Sequence, residues 1–411
     1  MAVNLQEPIS LGPFRVEFAG ARILRNGSDV ELRPRAFRAL CVLVQNQGRV
    51  VDYRQMIRDA WDGIQVSHHT ITVTVAEIKD ALGECGGWIT CRPKLGYCLE
   101  VPGSEEMLRR GWHYCNQYSR LGFENALRCF QQAAELDSAD FRAFHGIANA
   151  HLMLAGFLMR PTRDTHGPFL RAHARAVELS GLSPVLRMDR AFAACVFEDN
   201  IAEAERELLA VEREHLHSTL LYMRLALVYL ASGRLEQARA YVQKSQSADA
   251  LAPEPAFLGT LVRLFAREFE AAAEWGKATL DLHPGSHVGR AFYAEALDFA
   301  GRAADAQEQY KLAATLSPDT GWIRADQARC LALHGRTREA GSILDGLARN
   351  RDSEYVDSYH LALALDALGR RSEALEELNR ARQDKSYALA FSALDPKADC
   401  IRNDSRFVAA K

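Results

Sequence analysis

Histidine is the residue type here best suited to ligating a metal or moving a proton. Among its thirteen copies are His68-His69, His145 with His151, His166 with His173, and His215 with His217. None of these pairs stands with an acid or a cysteine at metal-site spacing, so surface or helix-packing roles are expected. The nine cysteines are irregularly spaced and form no Cys-x-x-Cys pair. That fits reduced thiols better than a disulfide framework or a zinc site. The sequence has no glycine-rich phosphate loop, no nucleophile elbow and no His-Glu-x-x-His. The expectation is therefore not an enzyme, with no metal and no cofactor.

Binding is what remains, and the elements that would present a binding surface must be read from pattern. The chain has 411 residues, 48% hydrophobic and 25% charged, room for two to four domains or one domain and an array. No run of eighteen apolar residues occurs, so no membrane span is expected. Met1 to Ser10 lacks the basic and apolar regions of a secretory signal, and a cytoplasmic location is expected. Net charge is -3. Residues 1–103 hold 12 Lys and Arg against 11 Asp and Glu, and the remainder 38 against 42. Neither part is a polycation, so any nucleic-acid binding must come from local placement of charge.

A repeat holds register over a long stretch. Gly233, Arg267, Gly301, Gly335 and Gly369 follow one another every 34 residues. Five residues after each comes Ala238, Ala272, Ala306, Ala340 or Ala374, and before each turn stands Ala226, Thr260, Ala294, Ala328 or Ala362. A glycine after a helix supplies a left-handed cap, and small residues let antiparallel helices approach. One such pair cannot bury its apolar face, so neighbours must stack. Five units run from Thr219 to Ala388. Upstream the register loosens: Gly122 to Leu136, then His145 to Leu154 with Phe169 to Leu179 across an interruption at Arg160–Gly167, then Asp189 to Val211. Ser392 to Ala409 reads as a polar capping segment.

The first hundred residues follow another pattern. Phe14, Val16 and Phe18 alternate, and Asn26-Gly27 is a hairpin signal, so a small antiparallel sheet is expected. Arg33 to Gln45 reads as a helix with Phe37, Leu40, Cys41 and Val44 on one stripe. Asp52 would cap Tyr53 to Trp61, and Ser67 would cap His68 to Leu82 with Ile71, Val75 and Ile78 inward. Trp88 to Glu100 reads as a second hairpin, and Val101 to Ser104 as a linker.

Sheet, three helices and hairpin resemble the OmpR/PhoB-type winged helix. The motifs are Leu32-Arg33-Pro34-Arg35-Ala36-Phe37, Gln47-Gly48-Arg49-Val50-Val51, Met56 to Trp61, Thr70 to Val75 and Pro93-Lys94-Leu95-Gly96-Tyr97. The units of 34 residues resemble tetratricopeptide repeats. Together they are similar to HilA-type virulence regulators, whereas CadC-type relatives with the same DNA-binding module are tethered to membranes. The implied fold class is mostly α: an N-terminal winged helix (α+β), then a tetratricopeptide-repeat α-solenoid. The expected domains are 1–103, irregular repeats 104–218, regular repeats 219–388 and a cap 389–411.

The resemblance implies that His68 to Leu82 reads the major groove while the wing holds phosphates. The face opposite the buried stripe carries His69, Val73, Ala76, Glu77 and Asp80, flanked by Thr70, Thr72, Thr74 and Lys79. Glu77 would accept from a cytosine amino group, and the threonines would touch phosphate or a thymine methyl. Arg92 and Lys94 are the expected wing contacts. For the repeats, the resemblance places Met223, Leu227, Phe257, Leu261, Glu295, Asp298, Trp322, Arg329, Tyr359 and Asp366 along a partner groove. The expected partners are promoter double-stranded DNA and, at the repeats, a protein, a small effector or a second copy. The competing expectation is an interaction scaffold whose winged helix, acidic on its reading face, has lost DNA binding.

Overall fold

The computed structural model describes residues 8–11, 14–18, 20–25, 28–214, 218–351 and 355–402. Its contacts divide the chain into two compact units, Met1–Arg110 with Cys129–Asp140, and Gly111–Arg128 with Phe141–Lys411. The first unit thus takes in more than the 103 residues expected of it.

The first unit opens with β1 (Ile9–Leu11), β2 (Phe14–Glu17), β3 (Arg22–Arg25) and β4 (Ser28–Val30), an antiparallel sheet in sequence order. Asn26 and Gly27 lie outside the described residues, but their neighbours Arg25 and Ser28 are paired. Helix α1 (Pro34–Gln45) begins on proline, whose missing N–H is no loss at a helix start, and buries Phe37, Leu40 and Val44. Next come β5 (Val50–Asp52), α2 (Tyr53–Ala60) and α3 (His68–Leu82). Asp52 accepts from Gln55 N at 2.7 Å, and Ser67 Oγ from Thr70 N at 3.2 Å, the two caps expected. Strands β6 (Ile89–Arg92) and β7 (Gly96–Leu99) form the wing, and β5 joins β7 to make three strands. Val50 and Val51 of the Gln47-Gly48-Arg49-Val50-Val51 motif are therefore sheet residues. Gly96 sits at φ 146°, and a Cβ there would lie 2.0 Å from the Val51 carbonyl oxygen, so only glycine fits.

Helices α4 (Ser104–Cys115) and α5 (Arg120–Leu136) follow, and then α6 (Phe141–Gly156), α7 (Thr162–Ser180), α8 (Pro184–Glu198) and α9 (Ile201–Arg213). The expected break at Arg160–Gly167 is shorter than expected. Helix α7 runs through Gly167-Pro168 and carries the proline inside it, without the backbone donor that proline lacks. The regular pairs are α10 (Thr219–Ala231) with α11 (Leu235–Ala248), α12 (Pro253–Phe265) with α13 (Phe269–Leu282), and α14 (His287–Phe299) with α15 (Ala303–Leu316). They continue as α16 (Gly321–Leu333) with α17 (Thr337–Arg349), and α18 (Ser358–Ala367) with α19 (Arg371–Gln383). The five turn residues all have left-handed φ, from 62° at Arg267 to 80° at Gly335. The alanines five positions on are fully buried.

The segment after α19 corrects the expectation of a terminal cap. It forms 3-10 turns at Tyr387–Phe391 and Pro396–Ala398 and runs back along the repeats in reverse order. Asp395 accepts from Tyr359 Oη at 2.9 Å in the fifth repeat. Lys397 Nζ lies 2.9 Å from Asp326 in the fourth and 3.0 Å from Glu295 in the third. Asp399 pairs with Arg267 at the second. Residues 403–409 of the expected cap lie outside the described residues.

Candidate functional site

Helix α3 is held by its buried stripe, Ile71, Val75, Ile78 and Leu82. The wing fixes its azimuth: Tyr97 Oη donates to Thr72 Oγ1 at 3.1 Å, and Thr72 in turn donates to the His68 carbonyl at 3.0 Å. His69, Thr70, Thr72, Val73 and Ala76 are exposed on the outer side, and Lys79 is half-buried. Two candidates are misplaced by the helical wheel. Thr74 is buried and donates to the Thr70 carbonyl, so it faces the core and not a groove. Glu77 is taken up by Arg33: Arg33 Nε donates to it at 2.7 Å and the Arg33 backbone N–H at 3.1 Å. The Arg33 hydrogen bond holds the Glu77 carboxyl below its ordinary range. Glu77 thus clasps the start of α1 and is not an open acceptor for cytosine. The wing tip exposes Lys94 at φ 66°. Arg92 is exposed and paired with Glu100 at 2.7 Å. The reading face therefore offers short neutral side chains, one histidine and the exposed Asp80, with cations at its margins.

In the second unit the first helices of the repeats and the returning segment line a half-open cavity of about 130 Å³. Met223, Leu227, Phe257, Leu261, Glu295, Trp322 and Tyr359 all line it, as do Phe292, Phe391, His360, Asp395 and Lys397. Asp298, Arg329 and Asp366 do not line it: Asp298 binds Arg329 at 3.3 Å and His334 at 2.6 Å, and Asp366 binds Arg371. The walls are aromatic and aliphatic, and one end is ionic. Burial pushes the Glu295 carboxyl up to about 7 against the pull of Lys397. Burial also opposes the charge of Lys397, yet Asp326 and Glu295 overcome it and raise the ammonium above its usual range. His360 is raised too, since Asp326 and a 3.0 Å contact with Asp357 outweigh its burial.

Two further clusters had no signal in local spacing. Asp189, fully buried, lies 2.6 Å from Arg224 and 2.9 Å from His145, close ion contacts short of hydrogen-bond alignment. Burial opposes its charge, but Arg224 and His145 hold it down at about 2. Asp298, Cys330 and His334 bring their ligand atoms within 4.8 Å of one another. Arg329 on the same carboxylate already neutralises it, and burial pushes the Cys330 thiol up, both of which oppose a cation there. These groups come from neighbouring helices, so their meeting depends on stacking that short spacing rules cannot see. Among the described residues no helix is long and apolar enough to cross a membrane.

Residues 27–99 match the family described as transcriptional regulatory protein, C terminal, and residues 220–250 match a tetratricopeptide repeat. The transcriptional activator CadC of Escherichia coli K12 is 29% identical over 103 residues, 24% of this chain and 20% of CadC. The transcriptional regulatory protein CutR of Streptomyces coelicolor is 35% identical over 77 residues, 18% of this chain and 33% of CutR. The matches thus span a third or less of these relatives. Among solved structures, a monomeric mutant of IFIT1 with m7Gppp-AAAA superposes with a TM-score of 0.50 at 14% identity, covering 81% of this chain and 82% of that one. That likeness shows the helical-repeat fold alone.

Proposed function

We propose that this chain, built from an OmpR/PhoB-type winged helix and tetratricopeptide repeats, is a transcription regulator that binds promoter DNA with its first unit. The repeats, in this reading, take up a protein or small effector that modulates the first unit. The observation that carries the reading is the outer side of α3. His69, Thr70, Val73 and Ala76 stand exposed on a helix locked by the Tyr97–Thr72 bond. Val73 and Ala76 suit thymine methyl groups, and Thr70 and His69 offer hydrogen bonds to base edges or phosphate. The wing brings Lys94 and Arg92 to the backbone, where they position the helix without reading sequence. The similarity to CadC and CutR supports regulation as the purpose.

A second reading has its own observation: the reading face has no cation of its own, which suits an interaction scaffold whose winged helix no longer binds DNA. A gel-shift titration of the full chain on duplex from its own upstream region separates the two. The regulator reading expects a retained complex that weakens steadily with salt. No retention even at low salt would leave the scaffold.

A further inference from the structure

Resting on the reading that α3 enters promoter DNA, we propose that its outer row recognises thymine C5-methyl groups, so that the preferred duplex carries two neighbouring thymines facing Val73 and Ala76.

The row itself sets the geometry. His69, Val73, Ala76 and Asp80 follow at steps of four, three and four, all exposed, and so lie on one stripe of the helix. Val73 and Ala76 fill its middle, and Val73 is 45% exposed. Three residues span about 4.5 Å of helix. Base pairs rise by about 3.4 Å. Two base pairs one or two steps apart therefore come within reach of the two side chains.

What the row lacks decides what it can read. The side chains with two-pronged matches to base edges are arginine or lysine for guanine and asparagine or glutamine for adenine. Helix α3 contains no arginine, asparagine or glutamine. Its one lysine, Lys79, is half-buried and outside the row. His69 can donate one hydrogen bond to N7, which guanine and adenine both carry, so it does not tell them apart. Asp80 matches only a cytosine amino group, and it stands one turn beyond the two apolar residues.

The threonines do not fill the gap. Thr72 Oγ1 accepts from Tyr97 Oη at 3.1 Å and donates to the His68 carbonyl at 3.0 Å. Thr74 is buried and donates to the Thr70 carbonyl at 3.0 Å. Thr70 shares its hydroxyl with the capping Ser67 at 3.0 Å, outside the row. These hydroxyls are engaged within the protein, and the middle of the face is hydrocarbon. The one hydrocarbon group on a major-groove base edge is the thymine methyl. Packing it against Val73 or Ala76 removes apolar surface from water, which no other base offers there.

The test is selection from a randomised duplex pool by retention on the full chain. A selected duplex is then titrated with thymine, uracil, cytosine or 5-methylcytosine at the two positions. Uracil differs from thymine only by the methyl, so the contact is probed in the unaltered chain. We expect neighbouring thymines in the selected duplexes and about fourfold weaker binding for each methyl removed. 5-Methylcytosine should bind more tightly than cytosine by the same factor. The ratio of thymine to uracil should hold as salt rises, because a methyl contact releases no counterion. Val73→Ser should abolish the ratio at one position and leave it at the other. Equal binding of thymine and uracil duplexes overturns the inference and leaves the regulator reading standing, and so does selection of duplexes without neighbouring thymines. No retention of any duplex at low salt, by a chain with native circular dichroism, overturns the regulator reading and this inference with it.

Discussion

The two units handle charge in opposite ways. In the winged helix the ion pairs lie at the surface: Arg35 and Arg38 share Asp62, Arg92 meets Glu100, and Arg33 meets Glu77. In the repeats the decisive pairs are inside: Arg224 with Asp189 is fully buried, and Lys397 between Glu295 and Asp326 nearly so. Exposed pairs are weak and screened, so their cations exchange partners readily. Phosphates can take them over, which is how a unit with almost no net charge can still bind DNA. Buried pairs cannot be exchanged without leaving a naked charge, so they fix one arrangement, here the return of the C-terminal segment.

The strongest test of this contrast removes the centre of the buried network. Lys397→Met should destabilise the second unit by about 3–5 kcal/mol, since Glu295 and Asp326 lose their shared cation in a dry site. Adding Glu295→Gln and Asp326→Asn should restore much of the loss. Urea denaturation of the three proteins measures it, and a loss near zero for Lys397→Met would mean that the segment is held by its apolar contacts alone.

Acid should also separate the units. Burial depresses His151 and His287 from 6.5 to about 4 each, and His287 Nε2 bonds the Tyr118 carbonyl at 3.0 Å. Their neutral forms fit the fold, so the stability they contribute is complete above pH 6.5 and is lost as pH falls toward 4. Each loss is up to about 3 kcal/mol. Melting between pH 7 and 4 should show the second unit weakening, and His151→Asn with His287→Asn should flatten the slope.

In the first unit, Gly96→Ala should cost about 2–3 kcal/mol and loosen the wing, because the methyl group meets the Val51 carbonyl at a backbone angle that alanine avoids. A smaller effect follows at the wing tip. Arg92→Ala with Lys94→Ala should weaken binding to any duplex and lower the salt slope by about 2, the two phosphates no longer neutralised. Unchanged affinity in the folded double variant removes the wing from the interface.

What the sequence showed and what it hid follow from the range of the interactions. The caps at Asp52 and Ser67, the span of α3 and the turns at Gly233 to Gly369 are local, and each is set by residues within one helical turn of the feature. The gathering of Met223, Leu227, Phe257, Leu261 and Trp322 around one cavity follows from repeat register, which sequence also carries. The failures sit where a distant partner intervenes. A wheel drawn on α3 alone could not see Arg33, 44 residues away, claim Glu77. A period of 34 residues says nothing of a non-repeating segment, so Asp395 and Lys397 read as a cap when they line the cavity, as does Asp399 when it pairs with Arg267.

Glu77 gives the smallest expected effect and the sharpest test of how the surface pairs are used. An acid on the outer side of a recognition helix would simply repel phosphate. In the structure it does something else, holding Arg33 by the guanidinium and by the backbone N–H. Glu77→Gln should therefore act twice, removing one negative charge and releasing one arginine at the margin of the face. Random-duplex affinity should rise a few-fold, and the salt slope should steepen by about 0.9, because one more phosphate is neutralised. Repulsion relief alone would raise affinity with Arg33 uninvolved, so the variant Arg33→Ala with Glu77→Gln separates the causes. If Arg33 becomes a phosphate contact, the gain from Glu77→Gln disappears in the Arg33→Ala background. If the gain persists there in full, Arg33 serves only to clasp α1 to α3, and the surface pairs of this unit do not yield their cations to DNA.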